Sequence, residues 1–190
     1  MPNIFDPRNL HRLDNPERRA LIPPTETLEK LGLKEGNVFV DIGAGTGYFS
    51  LPAAEITGPT GQVTATDLSP EMLEALQVNA REAGISVKTL LTPPDSVPLP
   101  DDYADMTFMA LVFHEIDDRH SYLCELRRIT KPAGKLVIID WAKVDSPMGP
   151  PADHRVDFEE AKKIISTAGF DLESAGMINP YQYYAVAKPA

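Results

Sequence analysis

From Asn37 onward, short apolar runs alternate with amphipathic stretches. Val38-Phe39-Val40, Val63-Thr64-Ala65-Thr66, Val87–Leu91, Met106–Val112 and Leu136–Ile139 have strand length, while residues 47–57, 70–83, 118–130 and 157–168 read as helices. This alternation predicts a mostly parallel sheet covered by helices on both faces. The punctuation agrees with it. Ser69-Pro70-Glu71 places an N-cap before a first-turn proline, and Asp157 with Glu160 three residues later reads as a capping box closed at the far end by Gly169. The last two runs, Leu172–Met177 and Tyr181–Ala187, are separated only by Ile178-Asn179-Pro180. That is too short for a helical crossover, so they are expected to pair as an antiparallel hairpin at the sheet edge. Thr92–Pro100 is dense in proline and reads as a loop.

Residues 1–24 follow a different pattern, with Pro2, Pro7, Pro16, Pro23 and Pro24 breaking any long helix. They read as an irregular arm or cap, followed by a short helix at about Thr25–Leu31 that ends at Gly32. The expected organisation is an arm and cap helix over residues 1–35 and one ligand-binding domain over 36–190. Since Arg8, His11, Arg12, Arg18 and Arg19 give the arm no obvious core role, it is expected to close over the site.

Composition narrows the function. Eighteen Lys+Arg against 28 Asp+Glu give a formal charge of −10, which repels a phosphate backbone, so nucleic acid is not an expected partner. The first 35 residues are balanced at six against six, so the whole excess lies beyond them. Cys124 is the only cysteine, which excludes an intramolecular disulfide and leaves no thiol set for a metal. No apolar run approaches the roughly 20 residues that span a bilayer, and Met1 to Arg12 lack a leader's apolar core. A cytoplasmic protein without a membrane span is the expectation.

The chemistry is carried by Asp41-Ile42-Gly43-Ala44-Gly45-Thr46-Gly47, directly after the first strand and opening a helix. Glycines there let the backbone turn tightly and approach a ligand without Cβ clashes. The third glycine comes one position earlier than in the dinucleotide fingerprint, and an acid stands two positions before the first. Both differences point away from NAD and FAD. Asp67 follows Gly47 by twenty residues, at the end of the second strand, where a carboxylate can accept hydrogen bonds from both ribose hydroxyls of an adenosine.

With these residues in place, the chain resembles class I S-adenosylmethionine (SAM)-dependent methyltransferases, especially the group related to ubiquinone/menaquinone-biosynthesis methyltransferases. The resemblance covers about residues 36–188 and rests on ordered segments: Val38–Gly47, Asp67-Leu68-Ser69-Pro70-Glu71-Met72-Leu73, Pro98–Asp105, Phe113-His114-Glu115 and Lys131-Pro132-Ala133-Gly134-Lys135-Leu136. It implies a Rossmann-like three-layer α/β sandwich whose seven-stranded, mostly parallel sheet has an antiparallel last strand. It further implies SAM across the C-terminal strand ends, with Asp41 to Tyr48 (Gly43, Ala44, Gly45, Thr46 and Gly47 between them) at the methionine end. Asp67 and Leu68 would lie at the ribose and Met72 near the adenine. Relatives often hold the adenine amino group with an acid where this chain has Pro93, and Asp95 is the nearby substitute. The region around Pro147–Pro151, with His154, corresponds to one that relatives use to cover the substrate.

Asp41 can either hydrogen-bond its own loop or help hold the cofactor's ammonium. His114, at the C-terminal end of the fourth strand, is the candidate general base, with helix capping or a core hydrogen bond as the plainer alternative. Glu115, Trp141, His154, His11 and Arg12 are candidates for the acceptor site, and no pair of histidines and acids has compelling metal-ligand spacing. The expected activity is methyl transfer from SAM to a small-molecule acceptor, leaving S-adenosylhomocysteine (SAH). The alternatives are a non-catalytic SAM-binding module and, less in keeping with the glycine spacing, a nucleotide-dependent oxidoreductase.

Overall fold

The structure is a computed structural model that describes residues 15–190. Its centre is a seven-stranded sheet of β1 (Val38–Ile42), β2 (Gln62–Asp67), β3 (Lys88–Leu91), β4 (Ala104–Ala110), β5 (Thr130–Trp141), β6 (Phe170–Asn179) and β7 (Gln182–Pro189), ordered β3-β2-β1-β4-β5-β7-β6. The strands β1 to β5 pair in parallel, and β7 runs antiparallel between β5 and β6. The expected hairpin is therefore present, with its second strand inserted beside β5 and its first on the edge.

Side chains alternate across the sheet with the two-residue period of extended backbone. Val40, Ile42, Met109, Leu136 and Ile138 enter one core, while Phe39, Phe108, Val137 and Ile139 enter the other. Both faces are buried, so the strands read as continuous apolar runs. Helices α5 (Arg119–Ile129) and α6 (Phe158–Thr167) cover the first face, through Leu123, Leu126, Ile129 and Ile165. On the second face, α2 (Pro24–Lys30) and α3 (Ser50–Thr57) contribute Leu28 and Ala53. Each fully buried Leu, Ile or Phe among them is worth roughly 1.5–3 kcal/mol.

The remaining helices are α1 (Pro16–Leu21) and α4 (Pro70–Ala83). Sequence signals place α4 well, since Ser69 accepts the Met72 N–H and Gly84 closes the helix in the left-handed conformation. Asp157 caps α6 through the Glu159 and Glu160 N–H groups. Several boundaries differ from the sequence pattern, β5 for example running from Thr130 to Trp141 beyond the run Leu136–Ile139, and two of them have a clear backbone cause. Helix α3 begins at Ser50 rather than residue 47, because Gly45 and Gly47 hold positive φ in the turn before it. The apolar run Met106–Val112 overshoots β4, which stops at Ala110 because Leu111 adopts φ +61° and turns the chain.

Part of the segment read as an irregular arm is helical. Asn15 caps α1 by accepting the Arg18 N–H, and Pro16 occupies its first turn, where a missing N–H costs nothing. Ile22 is buried in the same core as Phe39 and Phe108. Among the described residues no helix is long and apolar enough to cross a membrane.

Candidate active site

The C-terminal ends of β1, β2, β4 and β5 converge on one edge of the sheet, where open α/β folds place ligands. After β1 the chain turns through Gly43, Gly45 and Gly47, at φ +66°, +54° and +96°, which side chains with a Cβ rarely adopt. Space is equally limiting. A Cβ on Gly43 would stand 2.5 Å from Val112 Cγ2, and one on Gly47 3.1 Å from Leu76 Cγ. The loop is tied to its surroundings by the Ala44 N–H to the Thr66 carbonyl at 2.9 Å and by Asn79 Nδ2 to the Thr46 carbonyl at 3.0 Å.

Asp67 stands at the end of β2 with one carboxylate oxygen accepting the Gly45 N–H at 2.9 Å and the other accepting the Ser69 N–H at 2.9 Å. Each oxygen keeps a lone pair for another donor. The carboxylate, expected at the ribose, sits against the glycine loop, beside Leu68, which exposes 40% of its surface. Met72 is buried one turn into α4. Asp95 is exposed in the loop after β3, whose last residue, Leu91, pairs with Asp67. The glycine cradle, the ribose-type carboxylate and the apolar surface beside it fit an adenosyl cofactor.

Asp41 is 2% exposed and accepts a hydrogen bond from Ser50 Oγ. Burial lifts its pKa to about 7; the Ser50 bond opposes this, the charge of Asp67 adds to it, and Arg18 of α1 pulls it down. Tyr48, another residue expected at the cofactor, turns its hydroxyl toward the end of α1. Its hydroxyl donates to the Ile22 carbonyl at 2.9 Å, and the Arg18 guanidinium lies 4.1 Å over its ring. Residues 15–22 are therefore packed next to the loop. His11 and Arg12 lie outside the described residues.

Beyond β4, the turn at Leu111 leads into a short 3-10 segment, Phe113–Glu115. His114 meets Asp140, a residue of β5 that the sequence reading did not single out. His114 Nδ1 lies 2.7 Å from one Asp140 oxygen, and the His114 backbone N–H donates to the other at 2.7 Å. Glu115 Oε1 is 3.8 Å from His114 Nε2. Burial lowers the imidazole pKa, but the hydrogen bond and charge of Asp140, with Glu115 behind them, outweigh it, so the net shift is upward. Glu115 is pushed up to about 7, chiefly by burial, opposed by His114 and reinforced by Asp140 and Asp67. Since the charge of Asp67 reaches Glu115, the end of β2 and the 3-10 segment share one electrostatic environment. Arg119 of α5 holds the 3-10 segment by donating to the Phe113 and His114 carbonyls.

Two other acceptor-site candidates, Trp141 and His154, lie at the end of β5 and in the loop that follows it. Trp141 is 8% exposed, with Gly149 pressed on its indole and the Arg155 guanidinium 5.4 Å from the ring. Arg155 gathers the loop by donating to the carbonyls of Ala142, Val144, Met148 and Pro150 and to Ser146 Oγ. His154 is exposed at the end of a 3-10 turn, Ala152–His154. Among the described residues no group of three or more His, Cys, Asp or Glu side chains could hold a metal ion.

Asp140 and Arg155 were missed for different reasons. A lone acid ending the apolar run Ile138-Ile139-Asp140 is the same signal that marked Asp67, so Asp140 could have been found. Arg155 has no comparable signature, because its five partners are backbone carbonyls and a serine in a loop without periodicity.

Comparison with known proteins agrees with this geometry. A family model described as a methyltransferase domain matches residues 40–138, just over half of the chain. A ubiquinone/menaquinone biosynthesis C-methyltransferase, UbiE, from Burkholderia cenocepacia is 32% identical over 122 residues, covering 64% of this chain and 50% of that protein. The match thus spans half the length of this relative. A crystal structure of a SAM-dependent methyltransferase from Aquifex aeolicus superposes with a TM-score of 0.94 at 32% identity, covering 98% of this chain and all of that one. The [4+2]-cyclase SpnF shares the fold, with a TM-score of 0.78 at 18% identity over 97% of this chain and 85% of its own.

Proposed function

Because the chain belongs to the methyltransferase domain family and, with it, to the SAM-dependent methyltransferases, we propose that it transfers the methyl group of SAM to a small acceptor presented at His114. The observation that carries this reading is the convergence of the Gly43–Gly47 loop, Asp67 and the His114–Asp140 pair on one sheet edge. Backbone of Gly43–Gly47 would hold the methionine end, with Asp41 near its ammonium. Asp67 would accept from the ribose hydroxyls, and Leu68, Met72 and Asp95 would border the adenine.

When bound, SAM supplies an activated methyl group, whose carbon–sulfur bond breaks with its electron pair going to sulfur as the acceptor–carbon bond forms. Little else is asked of the protein beyond alignment and exclusion of water. His114 supplies what an acceptor bearing an acidic proton requires: Nε2 takes that proton and returns it to solvent. A phenolic, quinol-like ring is the acceptor class we favour. Support comes from the quinone-pathway name of the UbiE relative, and from chemistry, since loss of a phenolic proton activates both the oxygen and its neighbouring ring carbons.

Titration calorimetry with SAM and SAH, followed by a screen of phenolic acceptors with mass-spectrometric detection of methylated product, tests the proposal. Absence of heat with either ligand at millimolar concentration in a folded sample would sink it. The cyclase name carried by SpnF says only that this fold hosts activities other than methyl transfer; the alternative reading is a module that binds SAM without turning it over. SAH release during the screen separates the two readings.

A further inference from the structure

Asp140 is wholly buried near the end of β5. A carboxylate is kept there only if its oxygens are satisfied. Its partners are few and specific: the His114 backbone N–H at 2.7 Å, His114 Nδ1 at 2.7 Å and the Trp141 backbone N–H at 2.7 Å. Two of the three belong to one residue, 26 positions away in sequence. Backbone and ring of His114 are therefore held by a single rigid group on a central strand.

An ionised carboxylate only accepts, so the ring nitrogen facing it must carry a proton. In the neutral imidazole the remaining lone pair then lies on Nε2, on the side of Glu115. We infer that Asp140 is a positioning residue that locks His114 in the Nδ1–H tautomer, leaving Nε2 as the atom that takes the proton of the methyl acceptor. This rests on the methyl-transfer reading of the cleft. It narrows the acceptor to compounds whose nucleophilic group gives up a proton, because a locked Nε2 lone pair does nothing for one that arrives already deprotonated. The acceptor's O–H or N–H bond breaks, its proton forms the Nε2–H bond of an imidazolium, and the lone pair left behind attacks the methyl carbon.

A plainer role for Asp140 would be to hold the 3-10 turn through the His114 backbone N–H alone. That role needs no particular ring tautomer. The groups facing the ring are Asp140 from β5, Glu115 from its own segment and Arg119 from α5. Tyr183, paired across from Asp140 on β7, is held as a neutral phenol, its pKa raised by burial and by the Asp140 charge.

The test is a pH titration of the full chain labelled with 15N in its histidine rings, with the His114 signals assigned from His114→Gln. In the wild type the ring is expected to lose its proton from Nε2 and remain protonated on Nδ1, with a midpoint above that of an ordinary histidine. In Asp140→Asn the midpoint should fall by about one pH unit or more as the charge is lost, and the Nε2–H form should appear. Asp140→Glu should restore the wild-type tautomer at least in part. An Nε2–H ring in the wild type overturns the inference without any variant, which covers the case that Asp140→Asn does not fold. So does an unchanged tautomer and midpoint in a folded Asp140→Asn. SAH titration of the same samples keeps the two ideas apart: its Kd should be within a fewfold in wild type and Asp140→Asn, whereas no SAH binding to the wild type overturns the methyl-transfer reading whatever the tautomer.

Discussion

Gly43 faces Val112 so closely that a Cβ on the glycine would stand 2.5 Å from Val112 Cγ2. The glycine loop after β1 and the turn that delivers His114 after β4 are thus in van der Waals contact.

Gly43→Ala should destabilise the fold by roughly 2–4 kcal/mol, combining a disfavoured positive φ with overpacking. Gly84→Ala is the control, since it shares a positive φ but has nothing within 4 Å of its Cβ position; only the conformational cost of about 1–2 kcal/mol should remain. Urea denaturation measures both. Adding Val112→Ala to Gly43→Ala should recover the steric part, and a double variant no more stable than Gly43→Ala would show that the contact is not the cause.

Asp67→Ala should weaken SAH and SAM by losing charge-assisted hydrogen bonds worth roughly 1.5–3 kcal/mol, about ten- to hundredfold in Kd. The carboxylate also receives the Gly45 and Ser69 N–H groups, so Asp67→Asn, which keeps one acceptor, should fall between the two. Calorimetry decides. An unchanged Kd in a folded Asp67→Ala would reduce the residue to a support for the loop.

His114→Gln should lower kcat by about 10²–10⁴ on an acceptor that must lose a proton, with SAM affinity within a fewfold. Because the imidazole pKa is raised, the active neutral form fills only as pH climbs through that higher midpoint, and this acidic limb should vanish in the variant. Burial pushes the Glu115 carboxyl up to about 7, so Glu115→Gln must be run in parallel. If the limb survives in His114→Gln and disappears in Glu115→Gln, the carboxylate is the base.

Asp41 makes the fold less stable as pH rises. Its folded pKa of about 7 lies above the ordinary value of 3.8, so between those pH values the folded chain holds a proton that the unfolded chain has released. The contribution is complete below about pH 4 and is lost as pH rises through about 7, with a size on the order of a few kcal/mol. Asp41→Asn keeps the shape and an acceptor for Ser50 but cannot ionise. Its stability should exceed that of the wild type at pH 8 and decline less between pH 4 and 8; parallel curves for the two proteins would refute this assignment.

Arg155→Met should loosen the loop over residues 142–151, since four carbonyls and the Ser146 hydroxyl lose a shared donor. Hydrogen exchange in this segment should accelerate by more than tenfold, while β1 and β4 stay protected. Uniform acceleration across the sheet would show instead that Arg155 supports the whole domain.

Much of the fold was legible because it is written in local patterns. The β-branched runs, Ser69 before Pro70, Asp157 as a cap and Gly169 after α6 each act within a few residues of themselves. The hairpin followed from the length of a three-residue connection. Errors fell where local pattern and backbone geometry part. An apolar run said nothing of the turn at Leu111, and prolines read as breakers turned out to include one at the first turn of α1, a helix whose Arg18 lies over the Tyr48 ring.

The sequence by itself determined the glycine loop, the acid at the end of β2 and the alternation that makes a two-faced parallel sheet, because positive φ, strand-end position and periodicity are properties of neighbouring residues. Tertiary structure alone decided that His114 meets Asp140, that Gly43 meets Val112 and that Arg155 binds a loop onto Trp141. The first two contacts depend on β4 lying between β1 and β5 in a set register. Strand order and register are fixed by the packing of both faces at once, which is a property of the whole core and of no single segment.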